Sequence, residues 1–196
     1  MGWNQFQFYQ YKSLVKFLSV EHDCTYILID KGENLVTFGE DVWAMIGSSC
    51  RRMKNQQLYL LDVEYDVIVC QTEFANIENI KQAKLVMLQY GLAKNPHNYG
   101  SWRALADLNL VYGQYSYDRI SPLSRAVLVG NPRYSDYFSG TLSSEVISRY
   151  KQNLTKNKKT ILYAPTWGDI NTVEIFHTCT HAKPLAPLRV YSGGKR

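Results

Sequence analysis

The sequence predicts an α/β fold with a largely parallel sheet. Short apolar runs of strand length recur along the chain, and several of them end in a loop that contains glycine. Segments compatible with helices separate most of these runs. Because a strand, a helix and a second strand in succession build a parallel pair, this alternation favours a parallel sheet. The 196 residues suffice for a domain of ordinary size with a sizeable core.

Two helices and a strand are predicted in the first part of the chain. Apolar residues at helical spacing predict an amphipathic helix over residues 8–20. Residues 26–29 form a predicted strand, and residues 31–34 a turn. Asp41 is placed to cap a second helix, which Gly47 interrupts. The residues of this helix that we expect to face the core are Val42, Met45, Ile46 and Met53.

Most of the predicted strands lie in the middle of the chain. Residues 66–70 are continuously apolar after Asp66, as expected for a strand buried on both faces. Further strands are predicted over residues 58–61, 85–88, 108–112, 126–129 and 160–163. The helical segments predicted between and after them are a turn at 102–105, a helix at 115–123 and a helix from Ser143 or Ser144 to Lys151. The polar residues 153–159 are the best candidate for a linker.

The charge of the chain is mildly basic. A net charge of +5 suits an anionic substrate, a membrane surface or nucleic acid. No block of five like charges occurs, and we expect no nucleic-acid partner. The basic clusters are expected to be solvated helix ends or loops, and they comprise Arg51, Arg52 and Lys54, and Lys156, Lys158 and Lys159.

The cysteines and the hydropathy of the chain indicate the cellular compartment in which we expect the protein. Four widely spaced cysteines without a CxxC pair favour a reducing, cytoplasmic environment. No run of about 18 apolar residues occurs, so no membrane-spanning helix is predicted.

We predict no cofactor and no metal site. Asp62 and Glu64 are two apart and would share one face of a strand, but we interpret them as charges that flank a buried strand. His177, Cys179 and His181 also alternate, and a fourth zinc ligand is not evident. The sequence contains no GxGxxG, P-loop, GxSxG or HExxH motif, which removes the usual dinucleotide, NTPase, serine-hydrolase and zincin interpretations.

The segment at residues 85–100 is the strongest candidate for a ligand site. A buried strand, LVML, leads into Gly91 and then into a dense set of polar and aromatic side chains. Open α/β sheets bind ligands at the carboxyl ends of their strands. The side chains that this segment would bring there are Lys94, Asn95, His97, Asn98 and Tyr99.

Four motifs in order resemble one family of enzymes. They are QYGLAK at 89–94, NLVYG at 109–113, VGNPRYSDYF at 129–138 and ILYAPTWG at 161–168. This succession resembles the CDP-glycerol glycerophosphotransferases of teichoic-acid and capsule synthesis, over residues 60–176. YAPTW after a basic linker is the most specific of the four motifs.

The resemblance implies a GT-B architecture, in which two Rossmann-like domains face each other across a cleft. The enzymes transfer glycerol phosphate from CDP-glycerol to an acceptor hydroxyl. Residues 1–155 would form the acceptor-side domain and residues 156–196 the start of the nucleotide-binding domain. The implied partners are CDP-glycerol or a related nucleotide donor and a lipid-linked or polymer acceptor. A cytoplasmic protein in peripheral contact with the inner face of the membrane is implied as well.

The resemblance also assigns roles to individual residues. Tyr90 occupies the place of the family's histidine base, and His97 is the other candidate for that base. Tyrosine is a poor base at neutral pH because its ordinary pKa is about 10. The residues expected to bind phosphate or substrate are Gly91, Lys94, Asn98, Arg133, Thr166 and Trp167. The alternatives are a surface Lys94, an Arg133 that pairs with Asp136, and a Trp167 that packs between domains.

Two alternatives to an active glycerophosphotransferase stay open. About 35 residues follow the linker, and the stretch from His177 to Arg196 changes character, so the second domain is expected to be truncated. The chain would then be a catalytically inactive fragment or an acceptor-binding module. The other alternative is a related GT-B glycosyltransferase or nucleotide-sugar epimerase.

Overall fold

The structure is a computed structural model that describes residues 1–30, 40–47, 49–92, 98–145 and 147–148. By its internal contacts the chain divides into two compact units, Met1–Leu142 and Ser143–Arg196. The described part of the second unit begins with a helical turn, in which the Ile147 N–H donates to the Ser143 carbonyl at 3.2 Å. The boundary predicted near residue 155 lies outside the described residues and stays a prediction.

The first unit is an α/β structure whose strand pairs are all parallel among the described residues. The first two strands, β1 (Tyr26–Asp30) and β2 (Cys50–Lys54), form one sheet. Four further strands, in the order β3-β4-β5-β6, form the second sheet. They are β3 (Val67–Cys70), β4 (Lys84–Leu88), β5 (Leu108–Val111) and β6 (Ala126–Leu128). The predicted α/β class with a parallel sheet is confirmed.

The segment Met1–Gly2 connects the two sheets. Gly2 donates to the Ile27 carbonyl at 3.0 Å and accepts from the Ile29 N–H at 2.9 Å, which is a parallel bridge to β1. On the other side, the Met1 amino group donates to the Val69 carbonyl of β3 at 2.8 Å. The hydrogen bonding therefore runs from β2 through this segment to β6.

Four helices are described in the first unit. Helix α1 spans Gln5–Leu18 and is capped by Asn4, whose side-chain oxygen accepts from the Gln7 N–H at 2.9 Å. The others are α2 (Glu40–Ile46), α3 (Gln114–Ile120) and α4 (Ser135–Phe138). Helix α2 ends at Gly47, whose φ of +68° is the left-handed conformation that glycine adopts most easily at such a position.

The side chains of the strands alternate between two cores. Ile27, Ile29, Leu85 and Met87 enter one core, against the 3-10 helix Asn55–Val63. Tyr26, Leu28 and Leu88 enter the other, against Phe8 and Tyr11 of α1. Because both faces of β1 and β4 are covered, Tyr26–Ile29 and Leu85–Leu88 are continuously apolar, and charged residues occur only at the ends of the two strands, at Asp30 and Lys84.

Two predictions for residues 50–63 are wrong. Residues 58–61 are not a strand but part of the 3-10 helix, in which Leu58 and Leu61 point inward and Tyr59 and Leu60 outward. The basic cluster at 51–54 is not a helix end or loop but belongs to the edge strand β2. Met53 therefore reaches the core from a strand and not from helix α2.

Two details of the second predicted helix are also wrong, because Asp41 lies within α2 rather than before it and Met45 is exposed rather than in the core. The other predicted elements within the described residues are confirmed, with ends shifted by a few residues. They are the first helix, the strands at 26–29, 66–70, 85–88, 108–112 and 126–129, the turn at 102–105 and the helix at 115–123. The turn at 31–34, the linker at 153–159 and the strand at 160–163 lie outside the described residues.

Candidate ligand site at the carboxyl edge of the sheet

Polar residues follow each of the strands β3, β4 and β5 at the same edge of the sheet. Gln71 follows β3, Gln89 and Tyr90 follow β4, and Tyr112 follows β5. The carboxyl ends of parallel strands lie together, so these side chains converge. Gln71 and Gln89 are almost completely buried, and Tyr90 and Tyr112 are half-buried. The edge is therefore polar both at its surface and beneath it.

Gln89 joins the ends of β4 and β5. Its Oε1 accepts from the Tyr112 N–H, and its Nε2 donates to the Gly91 carbonyl, both at 2.8 Å. The side chain is completely buried, and both halves of its amide are satisfied. A buried amide with both halves satisfied fixes the backbone around it, because breaking either bond would leave a polar group unpaired.

Helix α1 contributes a polar side chain to the same edge. Gln10 donates through Nε2 to the Tyr90 carbonyl at 2.8 Å. Its Oε1 accepts from the Tyr112 hydroxyl at 2.6 Å and from Gln71 Nε2. The helix is thereby tied to the carboxyl ends of β3, β4 and β5, and this explains why its buried face carries Gln10 beside Phe8 and Tyr11.

Tyr90, predicted as a catalytic residue, lies at this edge. Its hydroxyl accepts a long hydrogen bond from Asn4 Nδ2 at 3.5 Å, and its carbonyl accepts from Gln10. The side chain is half-buried. Within the described part of the chain, no acidic or basic side chain hydrogen-bonds to the hydroxyl. The second candidate for the base, His97, lies outside the described residues, as does Lys94.

Gly91 and Asn98 are bonded to each other. The Gly91 N–H donates to Asn98 Oδ1 at 3.1 Å, and Asn98 is buried. A Cβ atom at Gly91 would meet no atom within 4 Å. Asn98 therefore holds Gly91 in the loop after β4, and packing does not demand glycine at position 91.

Arg103 is a completely buried residue that the sequence did not single out. It lies in the 3-10 helix Ser101–Leu105 before β5. Its Nε donates to the Asn98 carbonyl at 2.9 Å and its Nη1 to Asn109 Oδ1 at 3.2 Å. Asn109 Nδ2 donates back to the Arg103 carbonyl at 3.2 Å, and the guanidinium lies 4.6 Å from the centre of the Trp102 ring. Burial lowers the pKa of Arg103.

Arg133 lies in a turn after β6 that the local sequence builds. Gly130 has a φ of +72°, which favours glycine. Asn131 Oδ1 then accepts from the Arg133 N–H at 3.1 Å, and Pro132 starts the 3-10 helix Pro132–Tyr134. This turn packs against α1. The Arg133 side chain is exposed, and no ion pair with Asp136 forms in the described structure.

The causes that shift the pKa of Tyr112 show which charges lie near this edge of the sheet. Burial raises the pKa of its phenol, whereas Arg103 and Arg133 both act to lower it. Because a charge must lie near a group to shift its pKa, both guanidinium groups lie near Tyr112, that of Arg103 buried and that of Arg133 exposed. The edge thus combines a hydrogen-bonded polar interior with positive charge.

Asp62 and Glu64 have other partners than a metal. Asp62 Oδ1 accepts from the backbone N–H groups of Lys81, Gln82 and Ala83 at 2.9, 2.8 and 2.9 Å. Desolvation opposes ionisation of Asp62, but these three donors outweigh it and lower its pKa. Glu64 pairs with Arg51 on β2. Among the described residues, no group of three potential metal ligands occurs.

The structure thus brings together four of the eight predicted site residues. Tyr90, Gly91 and Asn98 lie in one hydrogen-bonded group, and Arg133 lies near Tyr112 at the end of β6. Lys94, His97, Thr166 and Trp167 lie outside the described residues. Gln10, Gln89 and Arg103 were not predicted from the sequence as site residues. An unexplained polar residue in an otherwise apolar helix face or strand end was the signal for the two glutamines.

Comparisons with family models, with curated proteins and with solved structures find no match for this chain. In the described residues, no helix has both the length and the apolar character needed to cross a membrane.

Proposed function

We propose that the chain is a glycerophosphotransferase-type protein of GT-B architecture, which transfers glycerol phosphate from CDP-glycerol to a polymer or lipid-linked acceptor. Unit Met1–Leu142 would be its Rossmann-like, acceptor-side domain. Teichoic-acid or capsular polymer is the acceptor class that the resemblance implies. The protein would carry out this transfer in the cytoplasm, in peripheral contact with the inner face of the membrane.

One observation supports this proposal above the others. Three of the four motifs that resemble the family lie on adjacent strands of one parallel sheet, at the same edge. QYGLAK follows β4, NLVYG includes β5, and VGNPRYSDYF begins at the end of β6. Gln89 joins the first two motifs directly through its hydrogen bond from the Tyr112 N–H. Three motifs that are separate in the sequence thus meet where open α/β sheets bind ligands.

The chemistry suits a site of this kind. The acceptor hydroxyl oxygen would attack the β-phosphorus of CDP-glycerol, which carries the glycerol. A new bond between this phosphorus and the acceptor oxygen would form, and the bond from the phosphorus to the oxygen that bridges the two phosphates would break. CMP would leave, and the hydroxyl proton would pass to a base. Arg133 would stabilise the charge on the transferred phosphate, because a guanidinium is always protonated and matches phosphate oxygens. Tyr90 would lie nearest the attacking hydroxyl, with His97 as the alternative base.

The test is CMP release by the purified full chain. CDP-glycerol is supplied with membranes that contain lipid-linked acceptor, and CMP and labelled polymer are both measured. Acceptor-dependent CMP release supports the proposal. Release from a UDP-sugar instead would assign a glycosyltransferase, and UDP-sugar isomerisation an epimerase. Acceptor binding without release of any nucleotide would assign an acceptor-binding module, and all three results would overturn the transfer reaction proposed here.

A further inference from the structure

The buried guanidinium of Arg103 has an incomplete set of partners. Its Nε and Nη1 donate to the Asn98 carbonyl and to Asn109 Oδ1, both of which are neutral acceptors. Its Nη2 is buried without an acceptor in the described structure. The ion pairs of the described residues involve Arg51, Arg52 and Lys84, so Arg103 has no carboxylate partner among them.

The groups that surround Arg103 do not supply the missing negative charge. The titratable groups that act on it are Cys70, Tyr11, Tyr112 and Tyr99. Burial raises the pKa of the Cys70 thiol to about 11 and also raises the pKa of Tyr11 and of Tyr112. Cys70, Tyr11 and Tyr112 are therefore neutral at pH 7. A buried charge without a counter-charge is costly, and a buried donor without an acceptor adds to that cost.

We propose that Arg103 is the fixed cationic donor of an oxyanion subsite at the carboxyl edge of β4 and β5, and that the subsite takes a phosphate group. A single oxyanion would supply both the missing acceptor for Nη2 and the missing negative charge. Guanidinium suits this role because its donors are held in a rigid fork that matches phosphate oxygens.

The position of Arg103 places this subsite beside the predicted catalytic loop. Asn98 accepts from Arg103 through its carbonyl and from the Gly91 N–H through its side chain. One residue therefore separates the guanidinium from the loop that begins at Tyr90. Asn109 in β5 accepts from a second nitrogen of the guanidinium, so that Arg103 is held in place before a ligand binds. The subsite deepens the proposed function, since it would hold a phosphate of donor or acceptor, but it needs no transfer reaction.

The first experiment observes Arg103 in the unaltered full chain. Arginine is labelled with ¹⁵N, and the Nε–Hε resonance of Arg103 is followed while inorganic phosphate is added at constant ionic strength. Arg103→Lys assigns the resonance by its disappearance. Arg119 is the internal control, because it is exposed and its guanidinium lies 4.5 Å from the Tyr115 ring. We expect a saturable shift of Arg103 and at most a small linear shift of Arg119.

The second experiment measures the change in melting temperature that phosphate causes. We expect phosphate to raise the melting temperature of the wild type and of Arg119→Gln, with at least ten-fold weaker affinity in Arg103→Gln and an intermediate affinity in Arg103→Lys. If Arg103→Gln does not fold, the phosphate affinities of the wild type and of Arg103→Lys are compared instead, together with the titration of the Arg103 resonance in the wild type.

Two results would overturn the subsite. One is an Arg103 resonance that phosphate leaves unchanged, in which case buried water or neutral acceptors alone satisfy Nη2. The other is equal phosphate affinity in the wild type and in Arg103→Lys. Phosphate binding and CMP release are separate measurements. A chain that binds phosphate through Arg103 without releasing CMP would therefore retain the subsite and refute the transfer reaction.

Discussion

The Tyr112 hydroxyl at the end of β5 donates to Gln10 Oε1 in helix α1 at 2.6 Å, across 102 residues of sequence. The same oxygen accepts from Gln71 Nε2 at the end of β3, and Gln10 Nε2 donates to the Tyr90 carbonyl after β4. One glutamine side chain therefore holds three strand ends together. The arrangement of the candidate site depends on this contact between a helix and the edge of the sheet.

Replacing Tyr112 by phenylalanine tests how much this contact stabilises the fold. The Tyr112→Phe variant loses the donor, while Gln10 Oε1 keeps its bond from Gln71. We expect the free energy of unfolding to fall by about 1 kcal/mol, as is typical of one buried hydrogen bond. Urea unfolding at pH 7 measures the change. Tyr115→Phe is the matched control, because that side chain is more than half exposed and its loss of a hydroxyl should change stability by less than about 0.5 kcal/mol.

Two glycines at the edge should respond differently to alanine. A Cβ atom would meet no atom within 4 Å at either Gly91 or Gly130, so neither substitution causes a clash. Gly130 has a left-handed φ of +72°, and Gly91 does not. We expect Gly130→Ala to lower the free energy of unfolding by about 1 kcal/mol. Gly91→Ala should leave it unchanged or raise it by about 0.4–1 kcal/mol. Equal destabilisation in urea would contradict the backbone conformations described here.

The charge of Asp62 should stabilise the fold against acid. Its pKa is lowered in the folded chain, so the unfolded chain binds a proton more readily. The stabilisation is fully present above the ordinary carboxyl pKa of about 4 and is lost as the pH falls through the lower folded value. The urea midpoint measured from pH 6 to pH 2 should therefore fall less steeply in Asp62→Asn than in the wild type. The exposed Asp23 offers the control, and Asp23→Asn should keep the wild-type slope.

Arg133 should contribute directly to binding of the donor. It lies at the carboxyl end of β6, whereas Arg125 precedes the amino end of the same strand. We expect Arg133→Gln to weaken CDP-glycerol binding about ten-fold or more, because a hydrogen bond to a charged group contributes about 1.5–3 kcal/mol. Arg125→Gln should bind as the wild type does. Isothermal titration calorimetry compares the three chains, and equal affinities would remove Arg133 from the site.

The sequence predicted the buried strands correctly because both of their faces are apolar. It missed β2 because an edge strand with charged outward side chains has no apolar run, and Met53 is its only buried residue. Of the three leucines in the wrong strand at 58–61, the two buried ones, Leu58 and Leu61, are three residues apart, a spacing that suits a 3-10 helix better than a strand. An apolar run alone does not distinguish the two.

The candidate site was predictable only in its location. A strand that ends in a glycine-containing loop indicated the carboxyl edge, and Tyr90, Gly91 and Asn98 do lie there together. The burial of Arg103 was not predictable, because its acceptors are Asn98, five residues before it, and Asn109, six residues after it, and only the fold turns both toward it. Gln10 likewise gains its role from strand ends far away in sequence.

The central claim is that the carboxyl edge of β4, β5 and β6 binds the phosphate-bearing substrate, and glycine resonances test it most directly. Gly91, Gly113 and Gly130 mark the ends of these three strands, whereas Gly2 and Gly47 lie elsewhere in the unit. The full chain labelled with ¹⁵N-glycine is titrated with CDP-glycerol. We expect saturable shifts of the three edge glycines and none of Gly2 or Gly47. Saturable shifts confined to Gly2 or Gly47, or no shift in any glycine, would contradict the claim.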